Sequence, residues 1–208
     1  MTFKIFTALL ALTVCLTALA ATACGSSNPA TQTWSAAPAM QIDTSKTYIA
    51  VFDTSLGSFK VELFASTAPI TVNNFVFLAE QKFYDGTIFH RIMQAFMIQG
   101  GDPTGTGTGG PGYTIPDEIP ANHANYAYDP GIVAMANTGL ANTGGSQFFI
   151  CTGADAASLV PSYTQFGKVV EGMDIVQKIA AVPVVSANGE LSKPVHPPVI
   201  KTITIQDS

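Results

Sequence analysis

Short runs of apolar or alternating side chains dominate the chain after residue 46. Residues 48–53 and 57–63 flank the turn 54–56, and the second run alternates apolar and polar positions, which is typical of a β-hairpin. Further strand-like runs lie at 88–93, 96–100, 131–136, 147–151, 166–170 and 199–205. Two helices are predicted, at 69–81 and 170–180. Many short strands with only two helices indicate a β-barrel rather than a sheet built from βαβ units.

The first predicted helix has start signals as well as the right periodicity. Thr67 is a candidate N-cap, and Pro69 suits the first turn. An apolar stripe follows, formed by Val72, Phe75, Val76 and Ala79. We therefore expect one face of this helix to pack against the sheet.

The start of the chain has a different pattern. An almost uncharged apolar run from Ile5 to Ala23 follows Lys4 and ends in small residues just before Cys24. Small residues at this place indicate a cleaved signal peptide rather than a retained span. A Cys followed by Gly-Ser-Ser resembles a bacterial lipoprotein signal, in which the Cys becomes the lipidated N-terminus. Simple signal cleavage with secretion of a soluble protein, and an uncleaved anchor, are the alternatives.

These patterns divide the chain into three parts. We predict a signal peptide over 1–23, a lipidated Cys24 with a flexible linker over 24–45, and a folded domain over 46–208. The linker is rich in Ala, Ser, Thr, Pro, Asn and Gln and shows no sustained periodicity. Trp34 and Met40 could dock on the domain, but a solvated linker is the favoured interpretation. The predicted address is extracytoplasmic, on the bacterial cell membrane.

Composition excludes several classes of function. The 208 residues carry a net charge of −5 and only 11% charged side chains, so no basic nucleic-acid surface is expected. His90, His123 and His196 lack metal-ligand spacing, and no metal site is predicted. The glycine-rich segment 105–112 is not followed by a helix start with Lys and Ser or Thr, which favours a surface loop over a phosphate site.

Three cysteines complete this picture. Cys15 lies inside the predicted signal, Cys24 is the predicted lipid site, and Cys151 ends an apolar run that is typical of a core position. The mature chain is therefore expected to have no intramolecular disulfide. Its stability must then come from a packed core.

Two of the strand-like runs place neutral amides and apolar side chains near one cation. Residues i and i+2 of an extended chain share a face, so Met97 lies with Gln99 and Gln147 lies with Phe149. Arg91 stands in the run just before them. A fixed guanidinium beside apolar groups and neutral amides suits a neutral, partly apolar ligand. It suits neither a phosphate nor a hydrolytic dyad.

Four blocks of sequence resemble the cyclophilins, a family of peptidyl-prolyl cis/trans isomerases. The blocks are FHRI and FMIQGGD within 89–102, GIVAMANTG at 131–139, GSQFFI at 145–150 and FGKVVEGMDIV at 166–176. The resemblance covers roughly residues 48–205. It implies a mainly β fold, a closed eight-stranded antiparallel barrel capped by two α-helices. It also implies a monomeric enzyme that acts on proline-containing peptides and unfolded proteins without a cofactor.

The resemblance also assigns an active site, with Arg91 as the catalytic residue. The residues matched to substrate binding are Phe96, Met97, Gln99, Ala136, Asn137, Thr138, Gln147, Phe149, Leu159 and Tyr163. Among them, the apolar side chains match the proline pocket, and the amides match the groups that hold the arginine and the peptide. Tyr163 stands where the family has a pocket His. Ser158 stands where many members carry a Trp that helps to hold cyclosporin.

The chemistry of proline isomerisation fits such a set. Rotation about an X–Pro bond breaks amide resonance, at a cost of about 18–20 kcal/mol, but breaks no covalent bond. A cation near the proline nitrogen, whose lone pair returns in the twisted state, favours that state over the planar one. Arg91 suits this role because it stays protonated and has several donors. A module that only binds proline segments and a structural envelope protein are the alternatives.

Overall fold

Antiparallel strands form one curled sheet around an aromatic core. The computed structural model describes residues 32–124 and 126–208. The sheet contains β1 (Tyr48–Thr54), β2 (Gly57–Leu63), β3 (Arg91–Met93), β4 (Met97–Gly100), β5 (Ile132–Met135), β6 (Phe148–Cys151), β7 (Gln165–Glu171) and β10 (Ile200–Asp207). The helices are α1 (Pro69–Glu80) and α2 (Met173–Ala180), and a 3-10 helix covers Ala154–Ser158. β8 (Val184–Ala187) and β9 (Glu190–Pro194) form a separate hairpin.

The sheet has the strand order β10-β1-β2-β7-β5-β6-β4-β3, and every pairing in it is antiparallel. The mainly β, eight-stranded architecture with two helices is thereby confirmed. The predicted closure of the barrel is not confirmed, since no ladder joins β3 to β10 within the described residues. An isolated bridge between Ile88 and Val199 lies beside those two edge strands. The sheet is therefore a curled half-barrel.

Aromatic side chains fill the space between the sheet and α1. Phe52 of β1 stacks on Phe59 of β2 with ring centroids 4.5 Å apart. Phe75 of α1 meets Phe148 of β6 edge to face at 5.9 Å. All four rings are almost completely buried, and such pairs stabilise a core beyond the area that they bury. The apolar stripe predicted for α1 therefore packs as expected.

The first helix starts at Pro69 as predicted but without the predicted cap, and the second starts later than predicted. Thr67 does not cap α1; the Glu118 carboxylate accepts from the backbone N–H of Ile70 and Thr71 at 2.9 and 2.8 Å. A remote carboxylate thus satisfies the free N–H groups of the first turn. The second helix begins at Met173 because β7 continues through residue 171 and Gly172 turns with a φ of +80°.

Residues 33–42 lie against the domain, and we call them the N-terminal strap. Trp34 N donates to the carbonyl of Pro111 at 2.8 Å, and the indole packs on Phe77 and Phe83 at 5.3 and 5.8 Å. Asn73 Oδ1 accepts from Gln41 N at 2.7 Å. Trp34 is therefore docked on the domain, which was the less favoured interpretation of the sequence. The signal peptide and Cys24 lie outside the described residues, and no helix in the described part is long and apolar enough to span a membrane.

Candidate active site

Strand register brings the predicted site residues onto one part of the sheet. Arg91 on β3 pairs with Gln99 on β4, and Gln99 pairs in turn with Phe149 on β6. Phe149 also pairs with Ala134 on β5, two residues before Ala136. Directly opposed residues on neighbouring antiparallel strands have adjacent side chains. Arg91 and Phe149 are 58 positions apart in the sequence, and strand pairing places both beside Gln99.

A cavity of about 140 Å³ opens where these strands meet. Its lining comprises Arg91, Phe96, Met97, Gln99, Ala136, Asn137, Phe149, Leu159 and Tyr163. The remaining predicted site residues, Thr138 and Gln147, line a neighbouring cavity of about 600 Å³ together with the glycine-rich loop. Gln99, Ala136 and Asn137 line both cavities. The structure therefore places all the predicted residues in two adjoining cavities.

The smaller cavity is apolar on one side. Met97 and Phe149 are 1% and 5% exposed, and the ring of Tyr163 meets Phe149 edge to face at 5.3 Å. Tyr128 lies behind these rings and bonds the backbone of Tyr163 in both directions, at 2.9 Å to its carbonyl and 3.0 Å from its N–H. Burial raises the pKa of Tyr128 to about 12, so its hydroxyl stays protonated and can serve both bonds.

The other side of the cavity carries the cation. Arg91 Nη1 faces Gln99 Oε1 at 3.4 Å and Met97 Sδ at 3.7 Å, and Nη2 faces Met93 Sδ at 3.1 Å. These are neutral and weak acceptors. The guanidinium therefore borders an apolar space that holds no carboxylate among its lining residues. Such a space accepts an uncharged amide with an apolar ring.

Comparison with known proteins identifies this arrangement. The sequence profile described as cyclophilin type peptidyl-prolyl cis-trans isomerase/CLD matches residues 49–205. The chain belongs to the cyclophilin family. It is 42% identical over 175 residues to peptidyl-prolyl cis-trans isomerase A of Mycobacterium tuberculosis, covering 76% of this chain and 92% of that protein. It is 48% identical over 142 residues to peptidyl-prolyl cis-trans isomerase-like 1 of Aspergillus oryzae, covering 67% and 84%.

Solved structures agree with this assignment. A cyclophilin type isomerase of Cryptosporidium parvum aligns with a TM-score of 0.70 and 36% identity, over 78% of this chain and 99% of that one. A second crystal structure of that protein, obtained in the presence of the dipeptide Ala-Pro, aligns with a TM-score of 0.69. The enzyme class predicted from the sequence is thus confirmed: the chain is a cyclophilin-type peptidyl-prolyl cis-trans isomerase.

This cyclophilin has site features that sequence reasoning missed. Glu190 forms a bidentate ion pair with Arg91, with Nε–Oε2 and Nη2–Oε1 both at 2.7 Å. Glu190 begins β9, directly after the turn Asn188-Gly189, where both residues have positive φ. Asn-Gly is a strong hairpin signal, so the hairpin could have been predicted. Tyr128 was also missed, and its ring contact with Phe149 and its hydrogen bonds with Tyr163 identify it.

Asn137 and Thr138, on the polar side of the cavities, are held by hydrogen bonds to nearby residues. Asn137 Nδ2 donates to the carbonyl of Ser162 at 2.8 Å, and its Oδ1 accepts from Gly139 N at 3.0 Å. Thr138 N donates to Thr143 Oγ1 at 3.0 Å. An amide has two N–H donors and two acceptor lone pairs, so Asn137 keeps one of each for a bound peptide.

Proposed function

We propose that this isomerase assists the folding of extracytoplasmic proteins by rotating X–Pro bonds in the cavity beside Arg91. The observation that carries the proposal is the juxtaposition of the guanidinium with the apolar lining formed by Met97 and Phe149. A proline ring in the apolar part places its peptide bond near the cation. The Ala-Pro dipeptide used with the similar C. parvum protein supports a proline-containing ligand for this cavity.

Arg91 supplies the step that lowers the barrier. In the planar amide the nitrogen lone pair is delocalised, and in the twisted amide it is localised on the nitrogen. A guanidinium donor then gains a hydrogen-bond acceptor that the ground state lacks. An interaction made only in the transition state accelerates the reaction, and a donor already in place does so without reorganisation. The neutral acceptors at Nη1 leave that atom able to change partner.

The remaining residues hold the peptide while it twists. We assign Phe96, Leu159 and Tyr163 to the walls around the proline ring, and Gln147 and Thr138 to the larger cavity for the residues before proline. The resemblance to cyclophilins supports a monomeric enzyme. The net charge of −5 argues against nucleic acids as partners.

The extracytoplasmic address is the second part of the proposal. It rests on the apolar run that ends at Ala23 and on the Cys24 that follows. A lipid on Cys24 would anchor the protein to the membrane surface. Secretion as a soluble protein is the alternative.

Magnetisation-exchange NMR on an Ala-Pro peptide tests the catalytic part. With the full chain added, the cis and trans signals should exchange within seconds, whereas uncatalysed exchange takes tens of seconds or longer. The same measurement separates catalysis from mere binding. A binding module would shift or broaden the peptide signals without raising the exchange rate, and that result would refute the proposal.

A further inference from the structure

Glu190 binds the guanidinium of Arg91 from outside the smaller cavity. Both bonds of the pair are 2.7 Å long, and Glu190 is not among the residues that line the cavity. A bidentate Arg–carboxylate pair fixes the plane of the guanidinium as well as its position, whereas one hydrogen bond would leave the plane free to turn. The contact therefore sets the orientation of the arginine without occupying the ligand space.

The β8–β9 hairpin carries this carboxylate to the site. β9 packs beside β3, the strand that begins with Arg91. Ser192 and Pro194, which share the face of Glu190, are buried, while Leu191 on the opposite face is 63% exposed. The hairpin is thus seated on the domain by the same face that presents Glu190. Its position is fixed by packing and not by the ion pair alone.

The pair leaves one end of the guanidinium available. Glu190 takes the Nε–Nη2 edge, and among the residues that the structure describes Nη1 contacts Gln99 Oε1 at 3.4 Å and Met97 Sδ at 3.7 Å. Charge-assisted hydrogen bonds to arginine are normally near 2.7–2.9 Å. Nη1 is therefore weakly engaged and free to donate to a bound peptide.

We propose that Glu190 is a positioning residue that preorganises Arg91 for the twisted amide, an inference that rests on the proposed function. The Arg91 side chain is 33% exposed, and without its partner it would sample other rotamers in solvent. A catalytic donor must stand in place before the bond twists, because reorganisation during the reaction adds to the barrier. Loss of the carboxylate should therefore lower kcat while leaving peptide binding nearly intact.

The test compares Glu190→Ala and Glu190→Gln with wild type in the full chain. Exchange NMR at several peptide concentrations gives kcat and KM. We expect Glu190→Ala to lose roughly tenfold in kcat with KM changed by less than about twofold, as misplacement of a reacting group predicts. Glu190→Gln, which keeps one acceptor oxygen, should fall between. Glu171→Ala is the matched control, since it removes the surface pair with Lys60 at 2.6 Å, and it should behave as wild type.

A second readout follows the arginine directly. The Nε–H proton of Arg91 should exchange slowly with water in wild type and rapidly in Glu190→Ala. The backbone amide resonances of the rest of the domain should keep their positions. Unchanged or increased kcat in Glu190→Ala, with an active wild type, would overturn the positioning role; an increase would mean that the carboxylate mainly screens the cation. A wild type without any exchange activity would instead overturn the proposed function.

Discussion

The side-chain amide of Gln99 donates to Oε1 of Gln147 at 3.1 Å. Gln147 Nε2 donates in turn to the carbonyl of Gly109 at 2.9 Å, and Gln99 Oε1 faces Nη1 of Arg91. An amide has an acceptor at one end and donors at the other, so the orientation of one glutamine fixes that of the next. Neutral groups thus connect the guanidinium to the glycine-rich loop without adding charge near the reacting bond.

Gln147→Ala should weaken this connection and lower isomerase activity. A neutral hydrogen bond contributes about 0.5–1.5 kcal/mol, which corresponds to a loss of roughly two- to tenfold in kcat/KM. Gln177→Ala is a suitable control, because its amide donates to the carbonyl of Thr152 at 2.7 Å and lines neither cavity. Equal activities of the two variants would show that the amides do not support Arg91.

Arg91→Ala should remove most of the exchange activity and leave the fold intact, since the side chain lies at the rim of the sheet and is partly exposed. Arg91→Lys should restore only part of the activity. Lysine keeps the charge but cannot donate in one plane to both Glu190 and the peptide. Exchange NMR measures the activity, and circular dichroism checks the fold. A folded Arg91→Ala protein with near wild-type exchange rates would remove Arg91 from the mechanism.

Period-two patterns in the sequence predicted which side chains share a face, and each predicted strand run overlaps an observed strand. They could not show that Gln99 lies between Arg91 and Phe149, because register across separate strands depends on tertiary pairing. The resemblance to cyclophilins assigned the three residues to one site but did not give this register.

Local sequence patterns could not predict contacts between distant segments. The cap from Glu118 to α1 spans 47 or more residues, and the pair from Glu190 to Arg91 spans 99. Docking of Trp34 was the less favoured interpretation, since its segment has the composition of a linker. Such contacts follow from how elements pack, which local sequence patterns do not reveal.

The N-terminal strap should stabilise the domain through Trp34. Trp34→Ala removes the contacts with Phe77 and Phe83, and we expect a loss of roughly 2 kcal/mol in the free energy of unfolding, because the indole is only partly buried. Urea unfolding measures the loss. Met40→Ala, at a strap residue that is 51% exposed, is the control and should have little effect.

The same residue reports on docking in the unmodified protein. Trp34 is the single tryptophan of the chain, so its emission should be blue-shifted in the folded state and should move to longer wavelengths as the strap leaves the domain. A wild-type emission spectrum typical of fully solvated indole would contradict the docked strap.

Cys24→Ala should release the protein from the membrane or block its processing. A lipid contributes about 0.8 kcal/mol per buried CH₂, and stable anchoring takes more than one chain, as a lipoprotein-type cysteine provides. Cell fractionation follows the location, and mass spectrometry of the mature N-terminus detects the acyl groups. An unmodified Cys24, or a mature chain that starts elsewhere, would refute the anchor and leave the isomerase assignment untouched.

Asp102 is a fully buried carboxylate that organises the glycine-rich loop. It accepts hydrogen bonds from the backbone N–H groups of Thr104, Thr106, Gly107 and Gly109, at 2.6 to 3.2 Å. Burial alone would raise its pKa, but these bonds together with the Thr104 hydroxyl outweigh burial and hold the pKa of Asp102 below its ordinary value. The ionised form is therefore the one that stabilises the loop.

Asp102→Asn should therefore destabilise the protein in a way that depends on pH. At pH 7 we expect a loss of about 1–3 kcal/mol, because the amide presents a donor to N–H groups that need an acceptor. A carboxylate with a lowered folded-state pKa contributes stability above its unfolded pKa of about 3.9, and that contribution is lost as the pH falls through the folded value. The gap in unfolding free energy between wild type and Asp102→Asn should thus narrow below about pH 4. Urea unfolding at neutral and acidic pH measures the gap, and a constant gap would show that ionisation of Asp102 does not stabilise the loop.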